Sequence, residues 1–103
     1  INRFILLMKG IIKMAKTIIT VVGQDTVGII AKVCNYLADN QINIMDITQT
    51  VMQGYFNMMM IVDTSACTKS HGDLSSELAT LGDSIGVQIK AQKEEIFDMM
   101  HRI

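Results

Sequence analysis

At 103 residues, half of them apolar, the chain has the length of one domain and enough hydrophobic side chains for a single core. Nine basic residues stand against ten acidic ones, without a basic run and with only two tyrosines and three phenylalanines, which argues against a groove for direct nucleic-acid binding. The apolar run Phe4-Ile5-Leu6-Leu7-Met8 is too short to span a bilayer and no small-residue cleavage site follows it, so neither a membrane anchor nor a secretory leader is expected there.

Residues 1–13 are expected to be an extension upstream of the domain, with Met14 as its natural start and 14–103 as one domain. Thr17 to Val22 is β-branched throughout, the composition of a strand apolar on both faces. Gly23-Gln24-Asp25-Thr26 breaks it. From Val27 the period changes: Val27, Ile30, Ala31, Cys34, Leu37 and Ala38 recur at helical spacing, with Asp25 or Thr26 as the expected cap and Asp39-Asn40 as the stop. Ile42 to Met52 and Tyr55 to Thr64 follow as two strands joined at Gln53-Gly54, a hairpin signal. In the second of them Phe56, Met58, Met60 and Val62 face one way, Met59 and Ile61 the other. Ser65 to Gly72 is polar and predicted as a loop. Leu74, Leu78, Leu81 and Ile85 mark a second helix ending near Gly82 to Gly86, and Val87, Ile89 and Ala91 alternate as a last strand. Ile96, Met99, Met100 and Ile103 predict a C-terminal amphipathic helix beginning near residue 93.

The order β-α-β-β-α-β with right-handed crossovers predicts an α+β ferredoxin-like two-layer sandwich: a four-stranded antiparallel sheet with both helices on one face. The opposite face, apolar at Met59 and Ile61, calls for cover by the N-terminal run, the C-terminal helix or another subunit. The second strand would be a sheet edge. It holds no proline or lysine and one charge, Asp46, so pairing with its twin in a homodimer is expected.

The most informative segment is Gly23-Gln24-Asp25-Thr26-Val27-Gly28-Ile29-Ile30. A glycine ends a strand and an aspartate opens a helix, which exposes free helix N-terminal amides where a carboxylate or phosphate is favoured. On the same residues alone, Asp25 could merely cap and Gly28 merely relieve packing. The segment has neither the G-x-G-x-x-G spacing of a dinucleotide fingerprint nor the Gly-Lys-Ser/Thr ending of a P-loop.

Together with Asn40-Gln41-Ile42-Asn43-Ile44-Met45-Asp46-Ile47, this segment resembles the ACT domain, a ligand-binding regulatory module of amino-acid metabolism. Gly54-Tyr55-Phe56-Asn57-Met58-Met59-Met60-Ile61-Val62-Asp63 and Met100-His101-Arg102-Ile103 are similar to a narrower group, the small stand-alone bacterial ACT proteins related to the glycine-cleavage repressor. The resemblance covers about residues 14–103. It implies a site between the strand–helix loop of one subunit and the second strand of its neighbour, with Gly23, Asp25, Thr26, Val27 and Gly28 from the loop and Asn43 and Ile44 from the strand. Many family members carry proline directly before the second glycine; Val27 in that place makes this loop less rigid.

Catalysis finds no support in the sequence. His71 and His101 have no paired cysteine cluster to form a zinc site, Cys34 and Cys67 are far from C-x-x-C spacing, and Asp63, Glu94, Glu95 and Asp98 are most simply surface or capping charges. Cys34 is expected as a buried free thiol in a reducing, cytoplasmic setting, and the nine methionines as adaptable core and interface filling. The expected function is therefore a regulatory module binding a small molecule, an amino acid by resemblance, as a homo-oligomer, with no cofactor and no metal. The alternative is a subunit that uses the fold only for pairing with itself or with a protein partner.

Overall fold

The computed structural model describes residues 16–25 and 27–93. The expected N-terminal extension, Thr26 and the expected C-terminal helix lie outside the described residues. The elements run β1 (Lys16–Gln24), α1 (Ile29–Asp39), β2 (Asn43–Met52), β3 (Tyr55–Asp63), α2 (His71–Ile85) and β4 (Val87–Lys93). The sheet order is β2-β3-β1-β4 and every neighbouring pair is antiparallel, the ferredoxin-like arrangement the sequence predicts.

Alternation decides which side chains of the sheet enter the core. Ile19 and Val21 of β1, Phe56, Met58, Met60 and Val62 of β3, and Val87 and Ile89 of β4 are buried on the face that carries the helices. Leu74 and Leu78 of α2 close over them, with Leu81 and Ile85 partly buried, along the stripe read from the sequence.

The first helix departs from its predicted face. It begins at Ile29, past a left-handed Gly28, so Val27 precedes it and is fully exposed. The buried stripe is Ile29, Val33 and Leu37; Ile30, Ala31 and Ala38 are exposed and Cys34 is half-buried. Two apolar stripes lie side by side on this helix, and the later start turns the neighbouring one inward. The second helix also starts earlier than predicted. Ser70, read as part of a loop, caps it by accepting the Asp73 N–H at 3.1 Å, which places His71 and Gly72 in its first turn.

Helix α1 stops where Asp39-Asn40 predicts, by a device the sequence hides. Gln41 adopts φ +58, its N–H donates to the Ala38 carbonyl, and the Ile42 N–H donates to the Leu37 carbonyl at 2.9 Å. This is a Schellman end with a non-glycine residue in the left-handed position. Ile42, buried directly after it, fixes the direction in which the chain enters β2. The β2–β3 turn is the expected one: Gln53 and Gly54 both have positive φ between the paired residues Met52 and Tyr55, a two-residue type I′ hairpin.

An L side chain in the left-handed region costs about 1–2 kcal/mol, against a glycine entropy penalty of about 0.5–1 kcal/mol. Gln41→Gly is therefore expected to raise stability by about 0.5–1 kcal/mol in urea unfolding. A loss of stability would show that the glutamine side chain contributes to the turn.

Candidate functional site

The strand–helix loop lies at the end of the sheet where β1 pairs with the beginning of β3. Gly23 faces Phe56 on one side and Val87 on the other. A Cβ built on Gly23 would meet the Val87 Cγ1 at 2.8 Å and the Val87 Cα at 3.0 Å, so β4 leaves room only for glycine. That contact, rather than a ligand, explains the residue type. Asp25 follows, exposed, with its N–H donating to the Gly54 carbonyl at 2.8 Å. The loop is thereby tied to the tip of the β2–β3 hairpin.

Asp25 does not cap the helix, contrary to the sequence reading. The N-cap is Gly28 at φ +89 and ψ 3, and among the described residues no side chain caps the first turn. The glycine bends the chain sharply enough that Asp25 is left behind the helix end. The first intrahelical bond of the turn runs from the Lys32 N–H to the Gly28 carbonyl at 3.0 Å, which leaves the amides of Ile29, Ile30 and Ala31 without an intrahelical acceptor. Asp25, Gly28 and these three residues line an open depression of about 420 Å³, together with Phe56. Among the described residues its lining is apolar apart from Asp25 and the amide ends, a combination suited to a small ligand with one anionic and one cationic group beside an apolar body.

Of the expected ligand residues, Gly23, Asp25, Val27 and Gly28 gather around this loop; Thr26 lies outside the described residues. Asn43 and Ile44 do not join them. They pair with Asp63 and Val62, whereas the loop sits beside Tyr55 and Phe56. The eight steps of β3 between those positions span roughly 25 Å at about 3.3 Å per residue. Within one chain the two halves of the expected site stand at opposite ends of the sheet. Sequence reasoning missed Ile29, Ile30, Ala31 and Phe56 as lining residues; the Gly-Ile-Ile run marks the first two, while Phe56 becomes adjacent only through the β1–β3 register.

A second polar cluster joins the two helices. The Tyr36 hydroxyl of α1 donates to Glu77 Oε1 of α2 at 2.8 Å, and Lys69 Nζ donates to the same oxygen at 2.6 Å while lying 5.7 Å from the centre of the Tyr36 ring. Burial, followed by the hydrogen bond to Glu77 and its charge, pushes the Tyr36 phenol well above its ordinary range. The bond from Lys69, followed by that from Tyr36, lowers the Glu77 carboxyl. Both cysteines are free and half-buried, Cys67 packing against the core. His71 lies 3.4 Å from the Ser75 hydroxyl, and among the described residues no cluster of three His, Cys, Asp or Glu could hold a metal ion. No helix among the described residues is long and apolar enough to cross a membrane.

The fold and loop define a ferredoxin-like α+β module whose distinguishing local feature is a glycine-bent strand–helix junction. Residues 16–92 match the family model of the ACT domain. A UPF0237 protein of Bifidobacterium longum is 60% identical over 90 residues, covering 87% of this chain and 100% of that protein. An ACT domain protein from Streptococcus pneumoniae has a solved structure with a TM-score of 0.73 at 40% identity, covering 82% of this chain and 96% of that one. A candidate glycine cleavage system transcriptional repressor shares the fold at 20% identity, with a TM-score of 0.64 over 78% of this chain and 45% of that one. The chain belongs to the ACT domain family, alongside the UPF0237 proteins.

Two outcomes follow from the geometry. Gly28→Ala is expected to cost about 1–2 kcal/mol from backbone conformation alone, although nothing lies within 4 Å of the added Cβ; urea unfolding measures it, and a neutral result would mean the loop can reshape. The raised Tyr36 phenol stays protonated in the folded chain where the unfolded chain ionises. Its stabilising contribution is thus intact below pH about 10 and declines as pH rises above it. Tyr36→Phe is expected to flatten that alkaline decline in stability measured between pH 8 and 11, and an unchanged slope would disconnect the phenol from it.

Proposed function

We propose that this chain is a regulatory module that binds a small molecule, an amino acid, between two copies of itself. The observation that carries the reading is the separation of the expected ligand residues: the loop around Asp25 and Gly28 stands roughly 25 Å from Asn43 and Ile44 along the sheet, so a second chain is needed to join them. The amides of Ile29, Ile30 and Ala31, which have no intrahelical acceptor, suit a carboxylate, Asp25 suits an ammonium group, and the apolar lining suits an aliphatic or aromatic body. The exposed edge strand β2 supplies a surface for the second copy. Control of amino-acid metabolism in a cytoplasmic setting is the context in which such a module would act. It would exert that control without catalysing a reaction and without touching nucleic acid itself.

One observation favours the alternative of a ligand-free interaction subunit. Val27, directly before Gly28, is fully exposed, an apolar side chain better suited to a protein partner than to water.

A thermal-shift panel of the twenty amino acids and common nucleotides separates the two. A ligand at one hundred times its dissociation constant is expected to stabilise the fold by about 2.7 kcal/mol, and Asp25→Ala to weaken that ligand beyond its own effect on stability. Silence across the panel from a protein that still dimerises would support the interaction subunit. A monomer at micromolar concentration by sedimentation would remove the two-copy site.

A further inference from the structure

The free edge of the sheet is not uniform along β2. The two-residue turn makes Met52 and Tyr55 its flanking hydrogen-bonded pair, and antiparallel pairing alternates from there. Met52, Thr50 and Thr48 therefore direct their backbone groups at β3, while Val51, Gln49 and Ile47 direct theirs outward. An independent contact agrees with this phase: the Ile47 N–H donates to Asp46 Oδ1 at 2.8 Å, so it is not committed to β3. The register slips between Ile44 and Asp46, leaving Met45 as a bulge. Bulge and carboxylate are both devices that blunt an edge, and here they close its N-terminal half. This qualifies the sequence reading of β2 as an unprotected edge. Among the described residues what remains open is short: the Ile47 carbonyl and both backbone groups of Gln49 and Val51. The opposite edge, β4, carries Lys90 and Lys93.

The open stretch has its own side-chain pattern. Ile47 and Val51 are 43% and 56% exposed on the helix-bearing face, with uncharged Gln49 between them. Apolar, polar, apolar at alternate positions reads the same in both directions, which is what a two-fold pairing requires.

Resting on the two-copy reading above, we infer that Ile47–Val51 pairs antiparallel with the same stretch of a second copy about a two-fold axis at Gln49, and that Asp46 confines the pairing to this stretch. In this register Gln49 exchanges both backbone bonds with its twin. The Val51 N–H donates to the carbonyl of the partner's Ile47, and the Ile47 side chain meets the partner's Val51. Moving the axis to Thr48 sets the Met45 bulge against Val51, and moving it to Thr50 runs Ile47 into the hairpin turn. A shift that puts Gln49 opposite Thr48 or Thr50 would match outward groups with inward ones. The register on Gln49 also brings Asn43 and Ile44 alongside the partner's Gln53–Gly54 turn, whose counterpart in this chain holds the Asp25 N–H. The Ile47 N–H stays on its own Asp46 carboxylate, so the interface forms without its outermost amides and is held below its full strength.

Two substitutions and one exchange measurement test the register. Gln49→Pro removes an outward N–H that the monomer's ladder does not use, so it is expected to keep its circular dichroism and to sediment as a monomer. Asp46→Ala releases the Ile47 N–H for the partner's Val51 carbonyl, and is expected to tighten the dimer about tenfold or more. In the wild type, the Gln49 and Val51 amides are expected to exchange with solvent more slowly as concentration rises through the dimer transition. A folded Gln49→Pro that dimerises like the wild type, Asp46→Ala that associates no more tightly, or concentration-independent exchange at both amides would each overturn the register while leaving a dimer of another geometry standing. A wild-type monomer would overturn both the register and the two-copy reading. If Gln49→Pro fails to fold, Asp46→Ala and the exchange rates decide alone.

Discussion

Everything in this molecule hangs on β1 being paired along both edges. From Thr17 to Gly23 it holds β3 on one side and β4 on the other, and its inward side chains meet both helices. A strand in that position cannot shift by one residue without turning Ile19 and Val21 out of the core. Its end is fixed as firmly as its register, because the backbone of Gly86 and Val87 closes on Gly23. The loop that follows therefore leaves the sheet at a fixed place and direction. The geometry of the depression around Gly28 is inherited from the pairing of a strand that contributes only Gly23 to its neighbourhood.

The same economy governs how the helix end is left available. A side-chain cap at Asp25 would have satisfied the first-turn amides internally and lowered the field at the junction. Gly28 in the left-handed region instead turns the chain without offering a side-chain acceptor, and the Asp25 N–H is engaged by the hairpin tip. The second helix shows the contrast within one chain. Ser70 caps it and Asp73 stands in its first turn, so one first-turn amide is already satisfied and a carboxylate offsets the field there.

Much of the architecture was legible because it rests on short-range chemistry. The β-branched run of β1, the Gln53-Gly54 turn and the alternation of Phe56, Met58, Met60 and Val62 each have a local cause, and the structure keeps them. The misreadings arise where two local patterns compete. On α1 the stripes through Ile29 and Ile30 are both apolar, and only a left-handed Gly28 selects between them. Ser70 and Gly72 look like loop until the capping bond to Asp73 is seen. The candidate site was half legible. Its loop residues follow from the motif, but the distance to Asn43 and Ile44 depends on strand register, and the Tyr36–Glu77 contact spans 41 positions with no local signature.

The order of the strands also sets an order of assembly. The β2–β3 hairpin closes over two residues, whereas β1 must find partners around forty and seventy residues further along the chain, so loop-closure entropy favours the hairpin as the earlier structure. A chain still emerging from the ribosome can thus close this hairpin before β1 has docked on it and before β4 has been made. In a crowded polysome such hairpins are natural templates for one another. The bulge at Met45 and the carboxylate of Asp46 lie within the hairpin itself and need nothing from the completed fold. Protection against premature association is consequently in place from the first moment the strand can offend.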